Sequence, residues 1–471
     1  MLFNSLDFFI FLAVLLPLFF AVNEKRQRIV LFWFSLFFYG SLKTVFVPLI
    51  FISFAATWHS SLKIQESSGI FRKKMYLLYC LAVNLGILIF FKYTDFFLGA
   101  WNDFLHISGS AGSDSKMLGL VLPLGISFYT FQAVAYAVDV YRNKIAAENS
   151  FFRFSLFLLF FPQLVAGPIM RAEDLMHQFT GKKTFSSADF SAGATLMAWG
   201  FFKKTIVADP IGTAISPVFQ NPELYDSASC FLAAFLFAVQ IYCDFAGYSD
   251  IAIGIGRILG FNIPLNFDRP FFASSITELW RRWHISLSLW LRDYVFISLG
   301  GSRVGRFRGY LNLFITMLVG GFWHGANWTF IFWGGINGTV LCLEKYFNEK
   351  GWSSVFERIP KPFHTVYAFT VFLAGAVFFR ADSISTGLVF YRKIGTFESG
   401  AFHSDLLNSK IVSAVLILFI IELFEEIRYL DRIKEVIRFE SYRKEFLAGF
   451  YLMLLMIYTV ITSPQFYYFQ F

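Results

Sequence analysis

Gly321-Phe322-Trp323-His324-Gly325-Ala326-Asn327-Trp328 places one imidazole in a run made almost wholly of apolar, aromatic and glycine residues. The segments on both sides are long enough to cross a bilayer. A fully charged side chain at membrane depth costs roughly 2.5–3.5 kcal/mol on insertion scales. His324 avoids much of that cost as a neutral imidazole, because the unperturbed ring titrates near pH ~6.5. Two interpretations stay open from these residues: a general base at the end of an access path through the membrane, and a histidine that hydrogen-bonds between packed helices.

The composition around this stretch excludes an ordinary soluble protein. Of 471 residues, 56% are hydrophobic and only 15% are charged, and the mean hydropathy is +0.58. The apolar runs are long and continuous, which is not the alternating pattern of a membrane β-barrel. The predicted fold class is therefore all-α, a polytopic membrane protein with about eleven to thirteen transmembrane helices.

The distribution of charge predicts an orientation. The net charge is +8, and basic clusters at 25–28, 63–74 and 142–144 fall at alternate ends of successive apolar segments. The positive-inside rule then puts these loops in the cytoplasm and the N-terminus outside it, in the cell (plasma or inner) membrane. We expect residues 1–22 to be a retained first transmembrane helix, since no basic region precedes the apolar run. The excess of Lys and Arg is explained by these loops and does not indicate a nucleic-acid partner.

Several helices are predicted to break inside the membrane. Pro123 and Gly125 interrupt one apolar stretch, and Pro162, Gly167 and Pro168 interrupt another. Broken backbone at membrane depth is stable only where protein or a water-filled cavity covers it, so these stretches are predicted to face an interior.

Small residues and cysteines add two weaker expectations. Gly256 and Gly260 lie four apart in an apolar segment, which favours close packing against another helix. The cysteines are scattered through apolar sequence without metal-ligand spacing, so we expect buried small residues and no metal site. They are Cys80, Cys230, Cys243 and Cys342.

Residues 262–309 form the most polar long stretch that also contains aromatic residues. We expect a helix over Glu278–Tyr294, in which Arg281 and His284 share a face. Two interpretations remain: an amphipathic cytoplasmic segment on anionic lipid, and an electropositive mouth for a phosphate-bearing donor, because guanidinium groups match phosphate geometry. Asp244 and Asp250 are intramembrane acids, for which a hydrogen bond to a broken helix is the favoured interpretation over a direct function.

The C-terminal third is expected to alternate between apolar spans and polar segments. It contains a polar loop over 383–410, an interfacial helix over 425–445, a last span over about 447–463, and an aromatic tail over 464–471.

Two histidine-bearing motifs together resemble the membrane-bound O-acyltransferase family. They are Trp280-Arg281-Arg282-Trp283-His284-Ile285-Ser286-Leu287 and Gly321-Phe322-Trp323-His324-Gly325. The bacterial branch typified by the membrane subunit of alginate O-acetyltransferase is most similar. Further segments that fit this branch are Pro123-Leu124-Gly125-Ile126-Ser127-Phe128, Ala166-Gly167-Pro168-Ile169 and Asp244-Phe245-Ala246-Gly247-Tyr248-Ser249-Asp250.

The resemblance covers the whole chain and implies one membrane domain over 1–471. That domain would comprise N-terminal helices in 1–116, a core with both histidine motifs in 117–345, and C-terminal helices in 346–471. The implied fold is a set of tilted and broken helices around a central tunnel. The implied activity is acyl transfer, most simply acetyl transfer, from a cytoplasmic acyl thioester such as acetyl-CoA to a hydroxyl group outside the cytoplasm, with no bound cofactor.

The resemblance also assigns residues. His324 is implied as the catalytic histidine and general base, and His284 as a second catalytic residue that positions the donor carbonyl or the acceptor. An oxyanion in acyl transfer needs hydrogen-bond donors, which Asn327, Trp323 or the second imidazole would supply. The candidate substrate-binding residues are Trp323, Asn327, Arg281, Arg282 and Ser286.

The identity of the acceptor stays open in the sequence. The implied partners are the acyl-CoA donor, a polysaccharide acceptor, membrane lipids and a separate extracytoplasmic hydrolase-like protein. D-Alanyl transfer to a cell-wall polymer is an alternative, because relatives that perform it share these motifs. A transporter or flippase for a polysaccharide precursor is the alternative from another class, and an internal repeat, which would favour it, is not evident.

Overall fold

The structure is a computed structural model that describes residues 1, 3–41, 43–108, 115–164, 167–351 and 358–426. These residues fold as α-helices joined by short 3₁₀ and π turns, which confirms the all-α class. The predicted interfacial helix lies outside the described residues from position 427 onward, as do the last span and the aromatic tail. The predicted number of spans therefore stays a prediction.

Four helical segments in the described part of the chain are long and apolar enough to cross a membrane. They are Thr44–Glu66, Ile70–Ile107, Ser227–Ile258 and Lys361–Arg380.

The chain divides into two compact units. Among the described residues, Met1 and those of 10–184 form the first unit, and those of 3–9 and 185–426 form the second. Helix α1 carries residues of both units. The helices up to residue 184 are α1 (Leu6–Ala21), α2 (Glu24–Gly40), α3 (Val47–Glu66), α4 (Ile70–Ile107), α5 (Ile126–Tyr141), α6 (Phe151–Leu159), α7 (Phe161–Leu164) and α8 (Ala172–Leu175).

Both helix breaks predicted in the first unit are present. Helix α5 starts only after Gly125, whose φ of +71° is left-handed and suits glycine. The second apolar stretch is divided at Phe160 between α6 and the single turn of α7. Residues on both sides of Phe160 are buried, as expected for broken backbone that other protein segments must cover.

The second unit contains the histidine motifs. Its helices are α9 (Ser187–Phe201), α10 (Asp209–Gln220), α11 (Ser227–Ile258), α12 (Ile276–Arg282), α13 (Ile285–Trp290), α14 (Arg306–His324), α15 (Trp328–Glu349), α16 (Lys361–Arg380), α17 (Ile384–Thr396) and α18 (Ser409–Glu426). A π-helical turn, Phe202–Ala208, joins α9 to α10. The predicted loop over 383–410 is wrong in part, because Ser383 accepts a hydrogen bond from the Thr386 backbone N–H and so caps α17.

Helices α9 and α11 pack against each other through two pairs of glycines. A Cβ atom on Gly193 would lie 2.5 Å from the carbonyl oxygen of Gly254, and one on Gly247 would lie 2.6 Å from that of Gly200. The backbones therefore approach so closely that only glycine fits at these positions, as at small-residue helix crossings in membranes.

The prediction of helix packing at Gly256 and Gly260 is wrong. Gly260 lies after the end of α11 with a φ of +79°. A Cβ on Gly256 would meet Ile263 in the chain that follows, not a second helix. The glycines that pack one helix on another lie seven residues apart, not four: Gly193 and Gly200 on α9, and Gly247 and Gly254 on α11.

The α9–α11 crossing predicts a large effect of one methyl group. We expect Gly247→Ala to lower the free energy of unfolding by about 1–3 kcal/mol, because the new Cβ would overlap the Gly200 carbonyl and the backbones cannot separate without cost. Thermal unfolding of the detergent-solubilised protein, followed by circular dichroism, measures this. Gly86→Ala on α4 is the matched control, since its Cβ would meet no atom within 4 Å. Equal thermal shifts in the two variants would contradict the prediction.

Candidate active site

His324 lies at the end of α14 and lines a narrow pocket in the second unit. Its side chain is 7% exposed. The rest of the lining is apolar or aromatic and comes from α11, α15, α16 and the residue before His284: Phe237, Ile241, Phe245, Trp283, Trp333, Phe372, Ala376 and Phe379. His324 is thus the ionisable group in the lining of this pocket.

Glycines on α14, on α15 and in the turn between them place His324, because they let the two helices approach each other closely. A Cβ on Gly334 would lie 2.6 Å from the carbonyl oxygen of Met317, and a Cβ on Gly321 would overlap that of Phe330. Gly325 leaves room for the Phe330 ring. The space that these glycines provide is therefore filled by the neighbouring helix.

Aromatic rings enclose the imidazole of His324. Its centroid lies 4.9 Å from the ring of Trp323, 5.2 Å from Trp333 and 5.0 Å from Phe379, with steep interplanar angles in each pair. Such edge-to-face contacts favour one ring position. The imidazole is consequently held beside the pocket in a setting with little room for water.

His284 lies at a break between two helices, which the sequence did not predict. Helix α12 ends at Arg282 and α13 begins at Ile285, and His284 between them has φ +41° and ψ +54°. The backbone N–H of Ile285 donates to the carbonyl of Asn266, at 2.9 Å. The predicted continuous helix over Glu278–Tyr294 is therefore wrong, and so is the shared helical face of Arg281 and His284. Left-handed backbone at a residue other than glycine costs roughly 1–3 kcal/mol and is concentrated at functional sites.

The structure brings the two histidines to one site. His284 is fully buried, and its ring lies 4.6 Å from Phe245, which also lines the His324 pocket. Trp323 contacts both imidazoles, with centroid distances of 6.0 Å to His284 and 4.9 Å to His324. Two motifs about forty residues apart in the sequence thus converge on one aromatic pocket.

Comparison with known proteins identifies the family of the chain. Residues 142–372, which include both histidines, match the model of the membrane-bound O-acyltransferase family. A probable alginate O-acetylase from Pseudomonas aeruginosa is 37% identical over 412 residues, covering 87% of this chain and 77% of the relative. The chain belongs to the membrane-bound O-acyltransferase family. It is accordingly a multi-pass membrane protein and an acyltransferase, and the resemblance seen in the sequence is confirmed.

Other relatives are named for different activities. A peptidoglycan O-acetyltransferase from Helicobacter pylori is 34% identical over 395 residues, covering 78% of this chain and 74% of that protein. A teichoic acid D-alanyltransferase from Streptococcus thermophilus is 30% identical over 236 residues, covering 47% of this chain and 56% of that protein. Different members of the family therefore act on different acceptors.

The two predicted substrate-binding arginines of this O-acyltransferase have different surroundings. Arg282 donates to both carboxylate oxygens of Glu426, at 2.9 and 3.3 Å, and forms an ion pair with Glu278 at 2.7 Å. Arg281 is exposed. Glu278 lies outside the four candidate spans: burial acts to raise its pKa, but hydrogen bonds from Ser274 and the charge of Arg282 hold the pKa below its usual value. Arg281 thus carries the more accessible of the two guanidinium groups.

The other predicted substrate-binding residues have partners in the protein. Ser286 donates its hydroxyl to the side-chain oxygen of Asn266 at 2.9 Å. Asn327 caps α15 by accepting from the Thr329 N–H at 3.0 Å, and its amide donates to the carbonyl of Asp382 at 3.1 Å. The structure therefore shows positioning contacts for both side chains.

A buried ion-pair network in the second unit escaped the sequence analysis. Lys203 donates to Asp250 at 3.0 Å and Lys204 to Asp244 at 2.7 Å, and all four side chains are buried. The lysines lie on the π-helical turn and the aspartates on α11. This supports the structural interpretation of the two aspartates, although lysines are the partners. Two adjacent lysines inside an apolar segment were the signal that could have predicted it.

The contrast between the two arginines predicts different effects of neighbouring substitutions. We expect Arg282→Gln to lower the free energy of unfolding by about 1.5–3 kcal/mol, because it removes charge-assisted hydrogen bonds to Glu426 and Glu278. Arg281→Gln removes an exposed guanidinium and should leave stability within about 0.5 kcal/mol of the parent protein. Thermal unfolding in detergent measures both. A larger loss for the Arg281 variant would show that these pairs do not hold the segment in place.

Proposed function

We propose that this protein is an O-acetyltransferase that transfers an acetyl group from cytoplasmic acetyl-CoA toward hydroxyl groups of an extracytoplasmic polysaccharide, with His324 as the general base. The observation that carries the proposal is the position of His324, a proton acceptor in the lining of a pocket that is otherwise apolar. A base in such a pocket contributes typically about 10²–10⁴-fold to the rate of a proton-coupled step.

The reaction balances with one imidazole. The acceptor hydroxyl oxygen forms a bond to the thioester carbonyl carbon while His324 takes the hydroxyl proton. The resulting tetrahedral oxyanion then collapses, the C–S bond breaks, and His324 returns the proton to the thiolate sulfur. The products are an O-acetyl ester and free CoA thiol, with no net gain or loss of protons.

The aromatic walls favour transfer over hydrolysis. Phe237, Phe245, Phe372 and Phe379 line the same pocket as His324 and supply no hydrogen-bonding side-chain group for water. A dry pocket also strengthens each electrostatic contact to the oxyanion. Trp323, an indole N–H donor beside both histidines, is a candidate for that contact.

The placement of charge along α14 supports transfer across the membrane. Arg306 and Arg308 are exposed in its first turn, and His324 is its last residue. The helix has 19 residues, so the two ends are separated by roughly 28 Å. If the basic end is cytoplasmic, as the positive-inside rule predicts, His324 lies toward the extracytoplasmic end, where a polysaccharide or an acyl-accepting partner protein approaches.

The relatives favour acetyl transfer to a polysaccharide. Proteins named for alginate and peptidoglycan O-acetylation match about four fifths or more of this chain, whereas the teichoic acid D-alanyltransferases match about half. An exopolysaccharide of the alginate type is therefore the first acceptor to supply, with peptidoglycan fragments second. A separate extracytoplasmic hydrolase-like protein is the proposed partner for onward transfer.

We expect His324→Ala to abolish acyl transfer while the protein stays folded. The substitution removes the proposed general base, so acetyl-CoA-dependent thiol release should fall by at least about 10²-fold. Thiol release and acetyl ester formation are measured on purified protein in detergent or proteoliposomes, with alginate oligosaccharides, peptidoglycan fragments or a candidate partner protein supplied.

His59→Ala on α3 is the matched histidine control, because His59 is exposed and should leave the rate unchanged. Full transfer by a normally folded His324→Ala protein would overturn the assigned base. D-Alanyl transfer without acetyl transfer would replace the donor but retain the mechanism.

A further inference from the structure

Asn266 is a fully buried residue that links the chain between α11 and α12 to the histidine motif. Its side-chain oxygen accepts hydrogen bonds from the Ser286 N–H at 3.1 Å and the Ser286 hydroxyl at 2.9 Å, and it lies 3.3 Å from His284 Nδ1. Its side-chain nitrogen donates to the Ser249 hydroxyl at 3.2 Å. Asn266 therefore contacts His284 directly, although neither of the two histidine-bearing motifs contains Asn266.

The orientation of the Asn266 amide is fixed by a group that can only donate. The oxygen and nitrogen of an asparagine side chain are distinguished by their hydrogen-bond partners. A backbone N–H has no lone pair to offer, so the atom of Asn266 that faces the Ser286 N–H must be the oxygen. The same atom faces His284 Nδ1.

The amide orientation determines the tautomer of His284. Since the Asn266 oxygen only accepts, Nδ1 of His284 must carry the proton of that hydrogen bond. The imidazole is fully buried and faces this neutral amide, so burial favours its neutral form. The neutral ring has one N–H, and Nε2 is therefore left with its lone pair.

No group in the described part of the chain donates a hydrogen bond to the lone pair of Nε2. Nε2 is buried and makes no hydrogen bond to any described residue. A buried polar atom that lacks a partner costs about 1–3 kcal/mol. Together with the left-handed backbone of His284, this identifies Nε2 as an atom held ready for a ligand that donates a hydrogen bond.

We propose that Asn266 is a positioning residue that holds His284 in the Nδ1–H tautomer, so that Nε2 accepts a hydrogen bond from a hydroxyl group of the acceptor sugar that neighbours the reacting one. The hydrogen bond from the acceptor rests on the proposed function, whereas the assignment of the His284 tautomer does not. In this state His284 cannot donate to the thioester carbonyl or its oxyanion. It orients the acceptor while His324 takes the proton, and the oxyanion must find its donors elsewhere.

The tautomer is tested on the protein without any substrate. Ring-¹⁵N histidine labelling and NMR of the full chain in bilayers or detergent distinguish Nδ1–H from Nε2–H, and a His284→Gln sample assigns the signal. We expect Nδ1–H in the parent protein and in Asn266→Asp, which keeps an accepting oxygen at this position. Asn266→Leu, which removes the acceptor, should shift the ring toward the Nε2–H form. An Nε2–H signal in the parent protein would overturn the proposal.

The consequence for acyl transfer needs a control for lost stability. We expect Asn266→Leu to reduce kcat by about 10–100-fold, by analogy with the loss of residues that orient metal-binding histidines, and Asn266→Asp to recover part of that loss. Asn312→Leu is the matched control: Asn312 is also fully buried, but its amide donates to the carbonyls of Leu299 and Gly301.

If both leucine variants lose thermal stability and activity alike, Asn266 has only a structural role. The two proposals fail separately. An absence of acyl transfer with the Nδ1–H tautomer present would count against the proposed function alone. His324-dependent transfer with an Nε2–H ring at His284 would count against this inference alone.

Discussion

Each polar group in the apolar interior of this protein needs a hydrogen-bonding or ionic partner supplied by the protein itself. The packing of the second unit depends on this requirement. Water is absent from the hydrocarbon region of a bilayer, so an unpartnered backbone or side-chain group there costs several kcal/mol. Lys203 and Lys204 are neutralised by Asp250 and Asp244 on α11. The paired glycines allow α9 to approach α11 closely, at the same crossing as these ion pairs.

The same requirement makes the exceptions informative. The break at His284 frees backbone groups that Asn266 then satisfies through its main chain and side chain. One atom of the histidine, Nε2, is left for a ligand. His324 is placed differently, at a helix end fixed by glycine contacts between α14 and α15. One imidazole is thus oriented by hydrogen bonds and the other by aromatic packing, which suits two different roles in one reaction.

Arg281 and Arg282 are adjacent in one motif but have different surroundings and different roles. Arg282 spans two carboxylates, one of them 144 residues away on α18, and so ties α12 to the C-terminal part of the described chain. Arg281, next to it, is exposed. A motif of adjacent basic residues therefore contains both a structural ion pair and an accessible charge, and burial decides which is which.

The sequence by itself determined the membrane class, the all-α fold, the positions of two broken helices, the family, and the two histidines. These follow from apolar length, from Pro and Gly at fixed places and from local motifs, all of which are encoded in short stretches of chain. The tertiary structure alone decided the break at His284, its contact with Asn266, the glycine pairs of α9 and α11, and the ion pairs of Lys203 with Asp250, Lys204 with Asp244 and Arg282 with Glu426. Each of these joins residues between 18 and 144 positions apart, and a contact between distant residues depends on how helices pack, which local pattern does not specify.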